Sequence, residues 1–176
     1  MNHAQFYIER ARPEHAAALL AYLKIIGGET DNLSFGPEGV PLDEAAEQAY
    51  LRAQAESTGN AQFLAFVDGE IIGTASLNRK PGRMHHRGVF GVSLKKAWWG
   101  CGAASALTEA ILAFARENDF EQINLEVRSD NARAIHLYER FGFQKLCTFP
   151  AFFKIRGQSI DFDLMNLSLN SEKHPL

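Results

Sequence analysis

The sequence predicts an α/β domain with a mixed, mostly antiparallel central sheet flanked by helices. Three observations lead there: a hairpin signal in which Asp68-Gly69 joins two apolar runs, a strand, loop, helix, strand, helix succession from Gly88 to Arg140, and two late strand-period runs. A hairpin followed by one strand-helix-strand unit calls for both antiparallel and parallel pairing in the same sheet.

Taken in order, Phe6 to Arg10 reads as a strand, and Pro13-Glu14-His15 opens a helix whose apolar positions Leu19, Leu20, Leu23 and Ile26 end at Gly27-Gly28. Glu29 to Pro41 has the composition of a loop, and Leu42 to Ala55 is rich in the good helix formers Ala, Glu and Gln. Phe63 to Val67 and Ile71 to Ala75 form the hairpin, and Gly88 to Leu94 is a third central strand. A long helix runs from Ala103 to Glu117. Ile123, Leu125 and Val127 then alternate with Asn124, Glu126 and Arg128 in the period of a strand. Asn131 to Arg140 returns to helical spacing, and strands near Phe143 to Phe149 and Ser159 to Leu167 complete the domain. Residues 1–170 are expected to form a single domain and 171–176 a flexible tail.

Composition narrows the function. A length of 176 residues, 46% of them hydrophobic, suits one packed core. A net charge of -3 without a basic cluster argues against a nucleic-acid partner. The N-terminus lacks the basic start and apolar core of a signal peptide, and no apolar run reaches the ~20 residues that span a bilayer, so a cytoplasmic protein without a membrane partner is expected. Cys101 and Cys147 form no CxxC pair, and the histidines show no ligand spacing, so neither a disulfide nor a metal site is expected.

Gly100-Cys101-Gly102-Ala103-Ala104-Ser105 lies between a strand and a helix start. Small residues there let backbone N–H groups approach an anion, and the helix dipole favours it. Packing alone also accounts for small residues at such a position. A Walker A loop needs a lysine and a hydroxyl residue where Ala103-Ala104 stand. A Rossmann turn fits better, since Gly100-x-Gly102-x-x-Ser105 approaches G-x-G-x-x-G and Glu126 follows about 20 residues on. A dinucleotide-binding protein is therefore one alternative, although a hairpin rather than parallel repeats precedes the loop. Cys101, at a helix start, is a second alternative as a nucleophile.

Together these residues resemble the GNAT superfamily of acetyltransferases, whose pattern is a strand, an Arg/Gln-x-x-Gly-x-Gly/Ala loop, a helix, a strand, then Asn and Tyr before Gly-Phe. The resemblance runs from about Phe6 to Leu167. Gly102 and Ala104 match the loop, and Trp99 stands where Arg or Gln is usual. Leu125 to Phe143 is similar to the signature LEVR..N..AI.LYE..GF.

The resemblance implies a GNAT-like fold and direct transfer of an acetyl group from the cosubstrate acetyl-CoA to an amine acceptor, a small molecule or a peptide. It implies that backbone groups of Val92 and Leu94 bind the pantetheine arm, that the amides of Gly100, Cys101, Gly102, Ala103 and Ala104, next to Trp99, hold the pyrophosphate, and that Asn131 contacts the cofactor arm. It makes Tyr138 the general acid. Glu126, which resembles the glutamate of the ribosomal-protein alanine acetyltransferase branch, becomes the base. Independently of family, Asn131 and Tyr138 are seven residues apart and share a helix face. A CoA-binding module without catalysis remains an alternative.

For the acceptor side, Glu29 and Asp31 offer negative charge in the loop between the first two helices. Phe149, Phe152 and Phe153, expected between the last strands, can wall an acceptor pocket, form a homodimer contact or belong to the core. His85-His86 point to opposite faces of a strand and receive no role.

Overall fold

The computed structural model describes residues 5–170, so the expected tail 171–176 lies outside the described residues. Among the described residues the sheet has seven strands, β1 (Tyr7–Arg10), β2 (Asn60–Val67), β3 (Glu70–Arg79), β4 (Arg87–Leu94), β5 (Gln122–Arg128), β6 (Gln144–Ile155) and β7 (Gln158–Ser168), hydrogen-bonded in the order β1-β2-β3-β4-β5-β7-β6. The chain divides into two compact units, one taking residues up to Asn78 together with Gly91–Asn118, the other Arg79–Phe90 and the chain from Asp119 onward.

The first unit starts with strand β1 (Tyr7–Arg10), a short 3-10 turn at Pro13–His15 and helix α1 (Ala16–Glu29). Ala16, Leu19, Tyr22 and Ile26 recur at three- and four-residue steps, and with Gly27 they are the residues α1 buries. The helix does not stop at Gly27-Gly28 as its sequence suggests. It continues to Glu29, because Gly27 is a point of close approach and not a terminator: a Cβ there would lie 2.0 Å from the Gly36 carbonyl oxygen. The loop that follows folds back onto the helix at this point.

Helix α2 (Glu44–Glu56) begins where the Asp43 carboxylate accepts a hydrogen bond from the Ala46 N–H at 2.8 Å. Its far end is closed by Arg10, whose guanidinium donates to the carbonyls of Gln54, Ser57 and Asn60 at 2.7, 2.8 and 3.2 Å. Strands β2 (Asn60–Val67) and β3 (Glu70–Arg79) form the expected hairpin, with left-handed Asp68 and Gly69 at φ 49° and 80°. Strand β4 (Arg87–Leu94) and a 3-10 turn at Lys96–Trp98 lead to helix α3 (Ala103–Glu117). Ala103, Leu107, Ile111 and Ala115 form its buried stripe at four-residue intervals.

The second unit holds the start of β4 together with β5 (Gln122–Arg128), α4 (Ala132–Arg140), β6 (Gln144–Ile155) and β7 (Gln158–Ser168). The parallel register of β4 with β5 covers Arg87↔Gln122, Gly88↔Ile123 and Val89↔Asn124, and β5 pairs with β7 antiparallel along its whole length. Pairings β1–β2, β2–β3 and β6–β7 are antiparallel as well. The segment Phe149 to Phe153, expected between strands, lies inside β6, where the β6–β7 register shifts. Among the described residues no helix is long and apolar enough to cross a membrane.

Gly27→Ala is expected to destabilise the protein by about 1–3 kcal/mol, because backbone must shift to admit the methyl group. Gly28→Ala, whose Cβ would meet only Pro37 at 3.7 Å, is expected to be neutral or stabilising. Urea midpoints of the two variants test the contrast.

Candidate active site

In the first unit, the run from Val92 to Ala104 forms a continuous turn out of β4 and into α3. Two interactions from α1 hold its start. The buried Tyr22 hydroxyl meets the Ser93 hydroxyl at 3.0 Å, and the Glu29 carboxylate accepts from the Lys96 N–H at 2.7 Å. Burial pushes the Tyr22 phenol above its usual pKa, so this contact stays uncharged. Glu29, read in sequence as a loop acid attracting an amine, is the last residue of α1 and ties down this turn instead.

Trp99 shows what a residue other than Arg or Gln does at its position: its indole N–H donates to the Leu94 carbonyl at 2.9 Å, clipping the turn to the end of β4. Lys95 is buried and ion-paired with Glu70. Gly100 and Gly102 take φ of 85° and 93°, a left-handed backbone that a side chain would strain.

Gly102 is the N-cap of α3, with no side-chain cap hydrogen bond and no acidic residue in the first turn. The first N–H groups of a helix have no intrahelical acceptor, so this end has the donors and the dipole an anion requires. A pyrophosphate fits that donor set. Cys101 is exposed and free between the two glycines.

In the second unit, Tyr138 is buried with its ring edge-on to Phe90, centroids 6.0 Å apart, and tilted against Phe143 at 5.9 Å. The Phe143 N–H donates to the Tyr138 carbonyl at 3.1 Å, which folds the chain after α4 back onto the tyrosine. Burial raises the phenol pKa, so the group is a proton donor across the neutral range. Among the described residues its hydroxyl has no hydrogen-bond partner. Asn131 is the N-cap of α4, its side-chain oxygen accepting from the Ala134 N–H at 3.3 Å. The amide NH2 of Asn131 has no partner among the described residues.

Glu126 is exposed between buried Leu125 and Val127, as the strand period requires. Arg128, a candidate partner for it, donates instead to both carboxylate oxygens of Asp130 at 2.9 and 2.7 Å. Among the described residues the Glu126 carboxylate has no hydrogen-bond or ion-pair partner.

Sequence reasoning missed Asp163. This β7 carboxylate is 4% exposed and accepts from the hydroxyls of Ser129 and Thr148, each at 2.7 Å, and from Lys145 Nζ at 2.9 Å. Ser129 begins the turn that ends in Asn131, and its N–H donates to the Asp161 carbonyl at 3.0 Å. Burial alone would raise the Asp163 pKa, but the three donors together hold it below the usual carboxylate value. The sequence signal was an acid in the same period-2 row as buried Met165 and Leu167.

The structure thus links Trp99 to Leu94, and α4 to both Asn131 and Tyr138, while Glu126 stands on the outer face of β5. A Rossmann domain is excluded by the antiparallel pairings on both sides of the α3 crossover.

Comparison with known proteins agrees with this architecture. The model of the Acetyltransferase (GNAT) family matches residues 30–143. An L-amino acid N-acetyltransferase, AaaT, of Escherichia coli is 31% identical over 61% of this chain and 67% of its own length. A crystal structure of a GNAT-family acetyltransferase from Streptococcus pneumoniae superposes with a TM-score of 0.91 at 28% identity, covering 94% of this chain and 100% of that one. The fold also matches yncA, a putative acetyltransferase from Salmonella typhimurium solved with acetyl-CoA, with a TM-score of 0.83 at 21% identity over 97% of this chain and 98% of that one.

Asp163→Ala is expected to cost about 2–3 kcal/mol, the loss of hydrogen bonds to a buried charge, with the half-exposed Lys145 contributing little. Because the native pKa lies below the unfolded value, this stability is complete above about pH 4 and is lost as the pH falls through the native value. Urea unfolding between pH 7 and 3 should therefore show a steeper acid loss in the wild type than in Asp163→Asn.

Proposed function

The chain belongs to the GNAT acetyltransferase family, and from that premise we propose that it moves the acetyl group of acetyl-CoA directly onto a primary amine. The observation that carries this reading is the family match at 30–143, which takes in both the Trp99 to Ala104 loop and the Asn131 to Tyr138 helix. Residues 1–170 act as one N-acetyltransferase domain in this reading. Its compartment is the cytoplasm, where the exposed thiols of Cys101 and Cys147 stay reduced.

In the proposed binding mode the N–H groups from Gly100 to Ala104 hold the pyrophosphate, that of Cys101 giving up its 3.4 Å bond to the Trp98 carbonyl, and the Trp99 clip orients the loop. Backbone of Val92 and Leu94 aligns the pantetheine arm, and the free NH2 of Asn131 donates to it. The Leu94 carbonyl accepts from Trp99, which fixes the strand end along which that arm would lie.

The reaction needs a neutral amine. An α-amine of pKa ~8 is about a tenth neutral at pH 7, whereas a lysine of pKa ~10.4 is almost wholly protonated. Glu126 takes the amine proton through water, and the nitrogen lone pair attacks the thioester carbonyl to form the C–N bond. Collapse of the tetrahedral intermediate breaks the C–S bond, and the electron pair leaves with sulfur. Tyr138 supplies the proton to that thiolate, a role suited to a phenol that burial keeps protonated, while the new amide nitrogen releases its remaining extra proton to solvent and the phenolate regains one from solvent.

Tyr138→Phe is expected to lower kcat by about 10²-fold with little change in KM for acetyl-CoA, and its unaltered kcat would remove the acid assignment. The alkaline limb of the wild-type kcat profile should not descend below pH ~10, since the phenol pKa is raised above its ordinary value. Glu126→Gln should lose most activity at the acid end of the profile, where the amine most needs a base. Acetyl-CoA binding without thiol release across a panel of amines would favour a non-catalytic CoA-binding module.

A further inference from the structure

Four phenylalanines gather on the face of the second unit's sheet that carries Glu126. Residues opposed in antiparallel strands project to the same face. Glu126, Leu164 and Cys147 make one cross-strand row, and Arg128, Phe162 and Phe149 make the next. Asp163, with Val127 and Thr148 opposite it, belongs to the other face.

The rings form a continuous stack. Phe153 lies 4.2 Å and Phe152 5.0 Å from Phe162, and Phe152 lies 5.5 Å from Phe153 and 5.6 Å from Phe149. Phe162 is buried by its neighbours, whereas Phe149 and Phe152 each remain 40% exposed.

A local backbone device holds this arrangement. Within the register shift of β6, Ala151 takes a left-handed φ of 53°, and its N–H donates to the Asp161 carboxylate at 2.8 Å. A left-handed backbone strains an alanine, so here strain accompanies the display of two ring faces to solvent. Phe162 is the diagonal neighbour of Glu126 across β5 and β7, about 7–8 Å away by sheet geometry. A carboxylate without a partner among the described residues and an exposed aromatic shelf therefore stand in adjacent rows of one face.

We propose that this shelf is the side-chain subsite of the acceptor, and that preferred acceptors are primary amines with an aromatic or other flat apolar group two or three bonds from the nitrogen. The proposal rests on the acetyl-transfer reading above and adds its substrate class. An ammonium drawn to Glu126 places such a group over Phe162, Phe152 and Phe149, where it covers apolar surface that a small amine or a polyamine leaves in water.

The test compares phenethylamine with n-propylamine in thiol-release kinetics, with phenylalanine amide and a phenylalanine-initiated peptide separating free from peptide-borne aromatic amines. The wild type should favour phenethylamine in kcat/KM by about 10-fold or more, the scale of a hydrophobic pocket contact. Phe149→Ala and Phe152→Ala should collapse that ratio towards one, and Phe152→Tyr, which retains a flat ring and guards against misfolding, should restore it. Equal kcat/KM for the two amines in the wild type, or equal losses on both in the variants, would overturn the subsite.

A dimer in sedimentation equilibrium that Phe152→Ala dissociates would assign the shelf to a second copy and also overturn it. If no amine is acetylated, the acetyl-transfer reading fails separately. The subsite then stands or falls on calorimetric binding of phenethylamine to the acetyl-CoA-loaded protein, with Phe152→Ala expected to abolish it.

Discussion

A carboxylate in an apolar row is stable only if its oxygens are satisfied, and Asp163 meets that condition by reaching in two directions at once. Thr148 and Lys145 approach from β6, and Ser129 approaches from the turn after β5. That turn delivers Asn131 to the N-cap of α4, and α4 carries Tyr138 into the aromatic contact with Phe90 and Phe143. The candidate acid and the candidate cofactor-arm residue thus depend on one buried charge that touches neither of them. The hydroxyl of Tyr138 and the NH2 of Asn131 have no hydrogen-bond partner among the described residues, because the fixing is done elsewhere.

The start of α3 in the first unit follows the same logic. No side chain caps α3, so its first N–H groups lack an intrahelical acceptor, and stability for the preceding turn comes from outside it. Glu29 holds the Lys96 N–H, Tyr22 holds Ser93, and Trp99 returns to Leu94. The tryptophan that stands where Arg or Gln is usual supplies a rigid clip on the strand that leads into the loop.

The two faces of the second unit's sheet divide the work. One face buries Ile123, Leu125, Val127 and Met165 with Asp163 among them. The other carries a polar ladder in which Arg87 donates to Asn124 and Asn124 donates to Asn166, then Glu126, then the phenylalanine shelf. Along this face the surface passes from polar to charged to aromatic within a few rows, a gradient suited to an amphipathic amine.

The order of elements was legible in the sequence because it rests on local signals. The period of β5, the Asp68-Gly69 turn and the small residues before α3 act within a few residues of themselves, and the Leu125 to Phe143 signature carried the family. Tertiary structure decided what depends on partners distant in sequence. Gly27 looked like a helix stop until Gly36 came against it, and Glu29 looked like a free loop acid until Lys96 met it. In β7, apolar residues occupy both strand faces, Ile160, Phe162 and Leu164 on one and Met165 and Leu167 on the other. Periodicity alone therefore cannot say which face is inside. Only pairing with β5 and β6 settles that Asp163 and Phe162 are buried and that Phe149 and Phe152 stay exposed, because burial belongs to the assembled sheet and not to the strand.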